Sequence, residues 1–198
     1  QVRRLDLDAF ARVELDLQAL LTNNLMASLG VGYNDTKIKD SGLVVSACGT
    51  AQNAPNPQAN CTILDPHVYE QDAVTGDWTA KANINGNPLP QAPKTTVNFT
   101  LRYSQPMASG AELYVLTDWV YRSKINFFLY ESREFTGKAL TEGGIRVGYL
   151  WGNGKYEAAL FGRNITNQIR IVGGIDFNNL TGFINEPRTW GAQFRAQF

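Results

Sequence analysis

The stretch LDLDAFARVELDLQA, residues 5–19, has apolar side chains at every odd position and mostly polar side chains at the even positions between them. An amphipathic helix would group its apolar residues three and four positions apart, so a period of two over this length predicts a long β-strand. A tight turn at 21–24 follows, and a second strand continues the alternation over residues 25–33.

The same two-residue period returns in five later segments, separated by connections that alternate between short and long. The predicted strands lie at about 95–103, 111–122, 145–151, 156–163 and 189–198. The short connections are 21–24, 104–110 and 152–154, and the long ones are 40–93, 123–140 and 165–186. About seven up-and-down strands, with short turns at one end of the sheet and long loops at the other, are typical of an outer-membrane barrel. The segment 40–93 has no sustained period and is predicted to be irregular.

Aromatic residues gather near both ends of the predicted strands. Tyr103, Tyr149, Trp151, Tyr156 and Phe198 lie near the short connections, whereas Tyr33, Trp119, Tyr121 and Trp190 lie near the long ones. Two aromatic belts with aliphatic residues between them are expected where amphipathic rings sit at both interfaces of a bilayer. A soluble β-sandwich would place aromatic residues in mid-strand core positions at least as often. The pattern favours an antiparallel transmembrane β-barrel over a sandwich.

Composition limits the alternatives. Lys and Arg total 18 and Asp and Glu total 18, so the charge points neither to nucleic acid nor to an anionic membrane surface. The sequence contains no run of about 18 apolar residues, so it does not predict a membrane-spanning helix. The mean hydropathy of −0.25 does not exclude a membrane protein, because only every second side chain of a membrane-spanning strand contacts lipid. No signal peptide opens the chain, so we expect that it was removed or that the chain begins within a larger protein.

A series of short motifs carries a family resemblance. They are VEL at 13–15, LTNNL at 21–25, APK at 92–94, YRSK at 121–124, GRNITN at 162–167 and EPRTWG at 186–191. In this order they resemble the C-terminal end of TonB-dependent outer-membrane receptors, whose terminal strand opens on a Pro-Arg-Thr-aromatic-Gly element. The resemblance covers nearly the whole chain except residues 40–90, and Arg12 stands where the family usually has glycine.

The resemblance implies an all-β fold in which residues 1–198 are the C-terminal portion of a larger, roughly 22-stranded barrel in the outer membrane of a Gram-negative bacterium. It places the long loop 40–93 outside the cell and leaves the plug domain outside this chain. The implied function is energised uptake of a scarce nutrient, which in this family is an iron siderophore, haem, cobalamin or a carbohydrate, and a ferric siderophore is the expected ligand here. The implied partners are outer-membrane lipid, the barrel-assembly machinery, the nutrient ligand and, through the plug, the TonB energising complex.

The last strand carries a second implication. Trp190, Phe194 and Phe198 form one apolar face of this strand, and Phe198 occupies the position that resembles the family's barrel-insertion signal. The alternative is that the strand simply ends on an aromatic residue.

The long connection 40–93 contains Cys48, Cys61 and the only histidine, His67. The cysteines can be a metal or redox pair, but they lack CxxC spacing, and the oxidising exterior that the resemblance implies favours a disulfide. His67 can touch a ligand or be a solvated loop residue. We expect no cofactor and no metal.

Charged residues of both signs occupy the polar face of the predicted strands. They can line a substrate path or form ladders between neighbouring strands and contacts to a plug. The residues are Asp6, Asp8, Arg12, Glu14, Asp16, Arg102, Asp118, Arg122, Arg146, Glu157, Arg163 and Arg195.

Two rival functions remain open. An outer-membrane hydrolase would need a nucleophile and a base at a barrel rim, and the sequence offers only His67 without a serine positioned to partner it. A small stand-alone outer-membrane barrel, porin-like or adhesin-like, would need an even number of strands, whereas the pattern gives seven. We therefore expect part of a receptor rather than an enzyme.

Overall fold

The computed structural model describes residues 11–51, 59–176 and 180–198. These residues form fourteen strands. Among them, no helix is long and apolar enough to span a bilayer. The strands are β1 Ala11–Thr22, β2 Leu25–Asp35, β3 Val44–Ala51, β4 His67–Gln71, β5 Trp78–Asn83, β6 Thr95–Pro106, β7 Glu112–Arg122, β8 Ile125–Asn126, β9 Thr136–Gly137, β10 Leu140–Trp151, β11 Tyr156–Arg163, β12 Ile171–Ile175, β13 Thr181–Ile184 and β14 Thr189–Ala196.

Seven strands form the main sheet, in the order β1-β2-β6-β7-β10-β11-β14. Every neighbouring pair is antiparallel, and the order follows the chain. The predicted all-β, up-and-down arrangement is confirmed. The sheet is open in the described residues, with β1 and β14 at its edges, so it is neither a closed barrel nor evidence for 22 strands. The first predicted strand extends back to residue 5, and residues 5–10 lie outside the described ranges.

The two faces of this sheet differ as the period of two predicts. Along β1 and β2, for example, Leu17 lies directly opposite Leu29 on one face, and Gln18 lies opposite Ser28 on the other. We call these the apolar face and the polar face. Large side chains remain exposed on the apolar face, including Leu17 at 53% and Leu160 at 67% of their full areas. The described residues place no second layer over this face.

Aromatic rings cover glycines in two strands of the main sheet. Strand β10 begins at Leu140, five residues before the predicted start, although it contains Gly143 and Gly144. Trp119 lies directly opposite Gly143, and a methyl group added to that glycine would collide with its indole ring. Trp190 covers Gly162 in the same way. The rings replace the packing that these glycines lack, which lets a glycine-containing segment remain a strand.

The prediction that residues 40–93 are irregular was wrong. Residues 40–93 contain β3, β4 and β5, which form a separate three-stranded sheet in the order β3-β5-β4. The other two long connections contain the hairpins β8–β9 and β12–β13. The period is hidden because the buried positions of β5 are only alanines, Ala80 and Ala82, and because β3 bulges after Ala47. His67 opens β4 and is not an irregular loop residue.

A compact apolar core lies in these connections. It joins the first long connection to the second, and Leu180 of the third packs against it. We call the described parts of residues 36–94, 123–139 and 164–188 the cap. The buried members of its core are Ile38, Ala47, Cys48, Cys61, Ala82, Ile84, Ile125, Phe127, Tyr130 and Phe135.

Candidate functional site

The hydroxyl of Tyr130 joins all three connections of the cap. It accepts a hydrogen bond from the backbone N–H of Cys48 at 3.2 Å, and it donates one to Oδ2 of Asp176 at 2.7 Å. The Tyr130 side chain is buried. This burial, and then the bond to the Asp176 carboxylate, raises the pKa of the phenol well above its ordinary value. The hydroxyl therefore stays protonated and can keep donating at any physiological pH.

Backbone pairing also joins the first connection to the second. Residues 62–64 run beside residues 131–133, with an isolated bridge between Ile63 and Ser132. Oδ2 of Asp65 accepts hydrogen bonds from Nδ2 of Asn87 at 2.8 Å and from the backbone N–H of Glu131 at 2.7 Å. One buried carboxylate therefore satisfies donors from both connections, which makes the cap a single packed unit.

The two cysteines form a disulfide inside this unit. Cys48 and Cys61 are bonded, with 5.1 Å between their Cα atoms, and both are buried. Cys48 lies in the bulge of β3, where it and Gly49 adopt left-handed backbone conformations. Burial and bonding indicate a structural role rather than a reactive one.

His67, the other residue considered for ligand contact, is exposed. Its Nδ1 lies 2.9 Å from the carbonyl oxygen of Asp65, and its ring meets that of Tyr69 edge-on at 5.6 Å between centroids. No group of three or more histidine, cysteine or acidic side chains in the described ranges could hold a metal ion.

We predict that Tyr130→Phe loosens the cap without unfolding the main sheet. The change removes the hydroxyl and leaves the backbone N–H of buried Cys48 and a carboxylate oxygen of half-buried Asp176 without this partner, which costs about 1–3 kcal/mol. Hydrogen exchange should show faster opening of β3 and of the β12–β13 hairpin, with β7 and β10 unchanged.

The matched control is Tyr69→Phe. The Tyr69 hydroxyl accepts a hydrogen bond from Ala59, and both residues belong to the first connection. This change should leave the β12–β13 hairpin as protected as in the wild type. Equal loosening of the hairpin by both variants would contradict the linking role of Tyr130.

The polar face of the main sheet carries a network of charged and phenolic groups. Nε of Arg146 donates to the Tyr114 hydroxyl at 2.7 Å, and Nη2 of Arg146 donates to Oε1 of Glu157 at 2.7 Å. The Tyr114 hydroxyl also donates to Glu157, and Arg195 pairs with Oε2 of Glu157 at 3.2 Å. These contacts link β7, β10, β11 and β14 around a carboxylate that is almost fully buried.

The network continues to β6 through Arg102. Its guanidinium lies 4.5 Å from the centroid of the Tyr114 ring, and its Nη2 pairs with Oε1 of Glu112 at 2.7 Å. Ser104 also donates to Glu112. These contacts agree with the expected ladders of opposite charge between neighbouring strands.

An open depression of about 670 Å³ lies on the polar face beside this network. Its wall includes charged side chains of both signs. The acidic ones are Asp118, Glu142 and Glu186, and the basic ones are Arg146 and Arg163. Such a surface can hold a polar solute through hydrogen bonds and local charge without favouring one net charge.

The third connection closes one side of this polar depression. Nδ2 of Asn185 donates to Oε1 of Glu142 at 2.8 Å, and Nδ2 of Asn164 donates to the carbonyl oxygen of Glu186 at 2.8 Å. A movement of the third connection would therefore alter the wall of the depression directly.

The charged residues predicted for the polar face separate into three groups. Asp118, Arg146 and Arg163 line the depression, and Arg102, Arg146, Glu157 and Arg195 belong to the network. The remaining described members belong to neither group. Arg12 pairs with Glu14 on its own strand, and Asp16 borders a second depression on β1, β2 and β6. Arg122 donates a hydrogen bond to the carbonyl oxygen of Ile171 at 3.3 Å. Asp6 and Asp8 lie outside the described residues.

Sequence reasoning missed several residues of the site. Glu142, Asn185 and Glu186 close the depression, and Tyr114 organises the network, although none belongs to a charge pattern that predicts a site. Asn164 had a signal, because it lies in the GRNITN motif. It takes a left-handed conformation there, a backbone state that asparagine tolerates better than most residues.

The aromatic residues predicted to form two belts lie at opposite ends of the sheet, and their contact with a membrane stays a prediction. At the end with short connections, Trp151 stacks between Tyr149 and Tyr156, with ring centroids 5.7 and 5.6 Å apart, and Tyr103 lies opposite Leu25. Members at the other end are Tyr33, opposite Thr95, and Trp119 and Tyr121, opposite Gly143 and Thr141.

The three aromatic residues predicted for barrel insertion are exposed. Trp190 and Phe194 lie within β14, and Phe198 follows its end. Their role in barrel insertion stays a prediction.

Comparison with known proteins bears on the fold. No protein-family model matches the chain, and no curated protein matches it. The crystal structure of the siderophore receptor PiuA from Acinetobacter baumannii matches 93% of this chain with a TM-score of 0.61 and 15% identity. The match covers 21% of the PiuA chain, so this chain spans about a fifth of its length. At this identity the likeness concerns the fold alone: the chain folds like one part of a siderophore receptor.

Proposed function

We propose that this chain is the C-terminal part of the β-barrel of a TonB-dependent receptor in the outer membrane of a Gram-negative bacterium. One observation carries the proposal. The open antiparallel sheet leaves apolar side chains exposed on one face, while its charged network and its polar depression lie on the other. The likeness to part of a siderophore receptor supports this interpretation.

Physical chemistry explains why a membrane suits this sheet. In water, so large an uncovered apolar surface favours association with other proteins. In a bilayer, contact between the same side chains and lipid acyl chains is favourable. The unpaired edges of β1 and β14 also need partners, since an unsatisfied backbone group is costly in hydrocarbon. Further strands of a barrel of about 22 would supply those partners, and a plug inside it would face the polar side.

The proposed role is uptake of a scarce nutrient, with a ferric siderophore as the substrate. The polar depression would form part of the inner wall of the path, and the cap would form its outer entrance. The proposed role is transport rather than catalysis.

Uptake in whole cells tests this proposal. Deleting the gene should abolish accumulation of its radiolabelled ferric siderophore under iron limitation, and the intact gene should restore accumulation only when TonB is present. Sensitivity of the deletion strain to a detergent serves as the control for general damage to the outer membrane. Restored uptake without TonB would instead favour a stand-alone porin, and unchanged iron uptake against a panel of siderophores would contradict the substrate.

A further inference from the structure

The apolar face of the main sheet is not uniform. Where β10, β11 and β14 lie side by side, it contains a depression of about 500 Å³. Its lining is almost entirely apolar and includes Val147, Tyr149, Ala158, Leu160, Ala192 and Phe194.

Two alanines create this depression. Ala158 on β11 lies directly opposite Tyr149 on one side and Phe194 on the other. Ala192 on β14 lies opposite Leu160, one step further along the same face. Small side chains between large ones leave a channel whose walls are the neighbouring rings and aliphatic groups.

The channel continues towards the short connections. A second depression of about 510 Å³ shares Tyr149 and Ala158 with the first, and it reaches Ser109 and Gly152 in two neighbouring turns. The two depressions together form one groove, apolar over the middle of the strands and bordered by turn backbone at its end.

Packed aromatic rings border this groove. Trp151 stacks on Tyr149 and on Tyr156, and its ring centroid lies 6.1 Å from that of Phe194. Stacked rings of this kind sit at the level where hydrocarbon meets headgroups, so the end of the groove coincides with the expected interface.

The turn that borders the end of the groove contains a lysine. Lys155 is exposed in the same turn as Gly152, and a Cβ added to Gly152 would lie 3.9 Å from Cβ of Lys155. An ammonium group there complements an anionic headgroup held at the level of the rings.

The groove suits a hydrocarbon chain better than a peptide. Its floor is the middle of a sheet whose backbone groups already pair between β10, β11 and β14. A peptide would bury its own N–H and C=O groups against this floor without partners, whereas an acyl chain carries no such groups.

We propose that this groove binds one phospholipid with an anionic headgroup. An acyl chain lies along Ala158 and Ala192, and the phosphate lies at the turn beside Lys155. The proposal rests on the proposed function, because that function places the apolar face in lipid.

Filling the groove tests the proposal. The full-length protein, reconstituted with phosphatidylglycerol and phosphatidylcholine, is released into the gas phase, and bound lipid is counted by native mass spectrometry. The double variant Ala158→Leu/Ala192→Leu should lose at least tenfold of its affinity for phosphatidylglycerol. The control Ala19→Leu/Ala27→Leu adds the same bulk at a directly opposed pair of the same face and should retain one lipid.

A charge variant tests the position of the headgroup. Lys155→Gln should reduce the preference for phosphatidylglycerol over phosphatidylcholine by about fivefold, the equivalent of roughly 1 kcal/mol for one cation near a membrane surface. Equal lipid retention by both leucine variants, or an annular population without a one-to-one complex, would overturn the groove while leaving membrane insertion intact. Failure of the wild type to insert into vesicles would overturn the proposed function as well.

Discussion

Replacing Leu29 by arginine should destabilise the protein in lipid vesicles by about 2–4 kcal/mol, the cost of a cationic side chain on the lipid face near the middle of a bilayer. Replacing its neighbour Ser28, which borders an open depression on the polar face, by arginine should change stability by no more than about 0.5 kcal/mol, as for a surface substitution. The two positions are adjacent in β2 but lie on opposite faces, so the pair isolates the effect of the face.

The surroundings of the two residues explain the contrast. Leu29 lies between Leu17 and Phe99 on the apolar face, and neither neighbour offers a polar partner to a guanidinium. Ser28 lies between Gln18 and Thr100 on the polar face. It borders an open depression whose wall includes Asp16, so an arginine there can reach both solvent and a carboxylate.

Denaturant unfolding of the full-length protein in vesicles measures both changes. Wild type, Leu29→Arg and Ser28→Arg are compared at the same lipid composition, and the free energy of unfolding is extrapolated to zero denaturant. Equal losses from the two substitutions would show that β2 does not present one face to lipid, and the membrane assignment would then fail.

The main sheet could be predicted because a strand with one apolar face must repeat every two residues. Leu17 and Leu29 lie opposite each other where the alternation predicts. The early start of β10 could not be predicted, because Gly143 has no side chain to show a period. Its place in the strand depends on Trp119, which is distant in the sequence and adjacent only across the sheet.

The cap escaped prediction for a related reason. Its strands bury alanines, and its largest buried side chains, such as Ile84 and Phe135, come from different connections. Nothing within 40–93 indicates that Phe135 will complete the core. Hydrophobic periodicity detects one element packing against a flat layer, not several short segments packing around each other.

The candidate site was predictable only in part. Arg146 and Glu157 follow from their positions on the polar face, and the structure pairs them. Tyr114 sits on the same face, where an aromatic residue breaks the expected pattern. Its hydroxyl gives the reason, since it donates to Glu157 and accepts from Arg146. A phenol on a polar face therefore deserves consideration as a hydrogen-bonding group.

Removing the disulfide, by Cys48→Ala together with Cys61→Ala, should lower the stability of the cap by about 3 kcal/mol, the value for a cross-link that closes a loop of roughly fifteen residues. Alanine is the appropriate replacement because both sites are buried and a serine hydroxyl there would need a partner. The effect should appear in hydrogen exchange as lost protection of β5 and of residues 125–135, which pack around the bond.

The main sheet should keep its protection, because β2 pairs directly with β6 and β7 pairs directly with β10, independently of the connections between them. Reductant supplies the matched test: it should loosen the cap of the wild type to the same extent and leave the double alanine variant unchanged. If the main sheet lost protection together with the cap, the two would form one cooperative unit and the cap would not be a separate layer of stability. If the cap kept full protection, its core and the Tyr130 hydroxyl would hold it without the covalent link, and the cysteines would need another explanation.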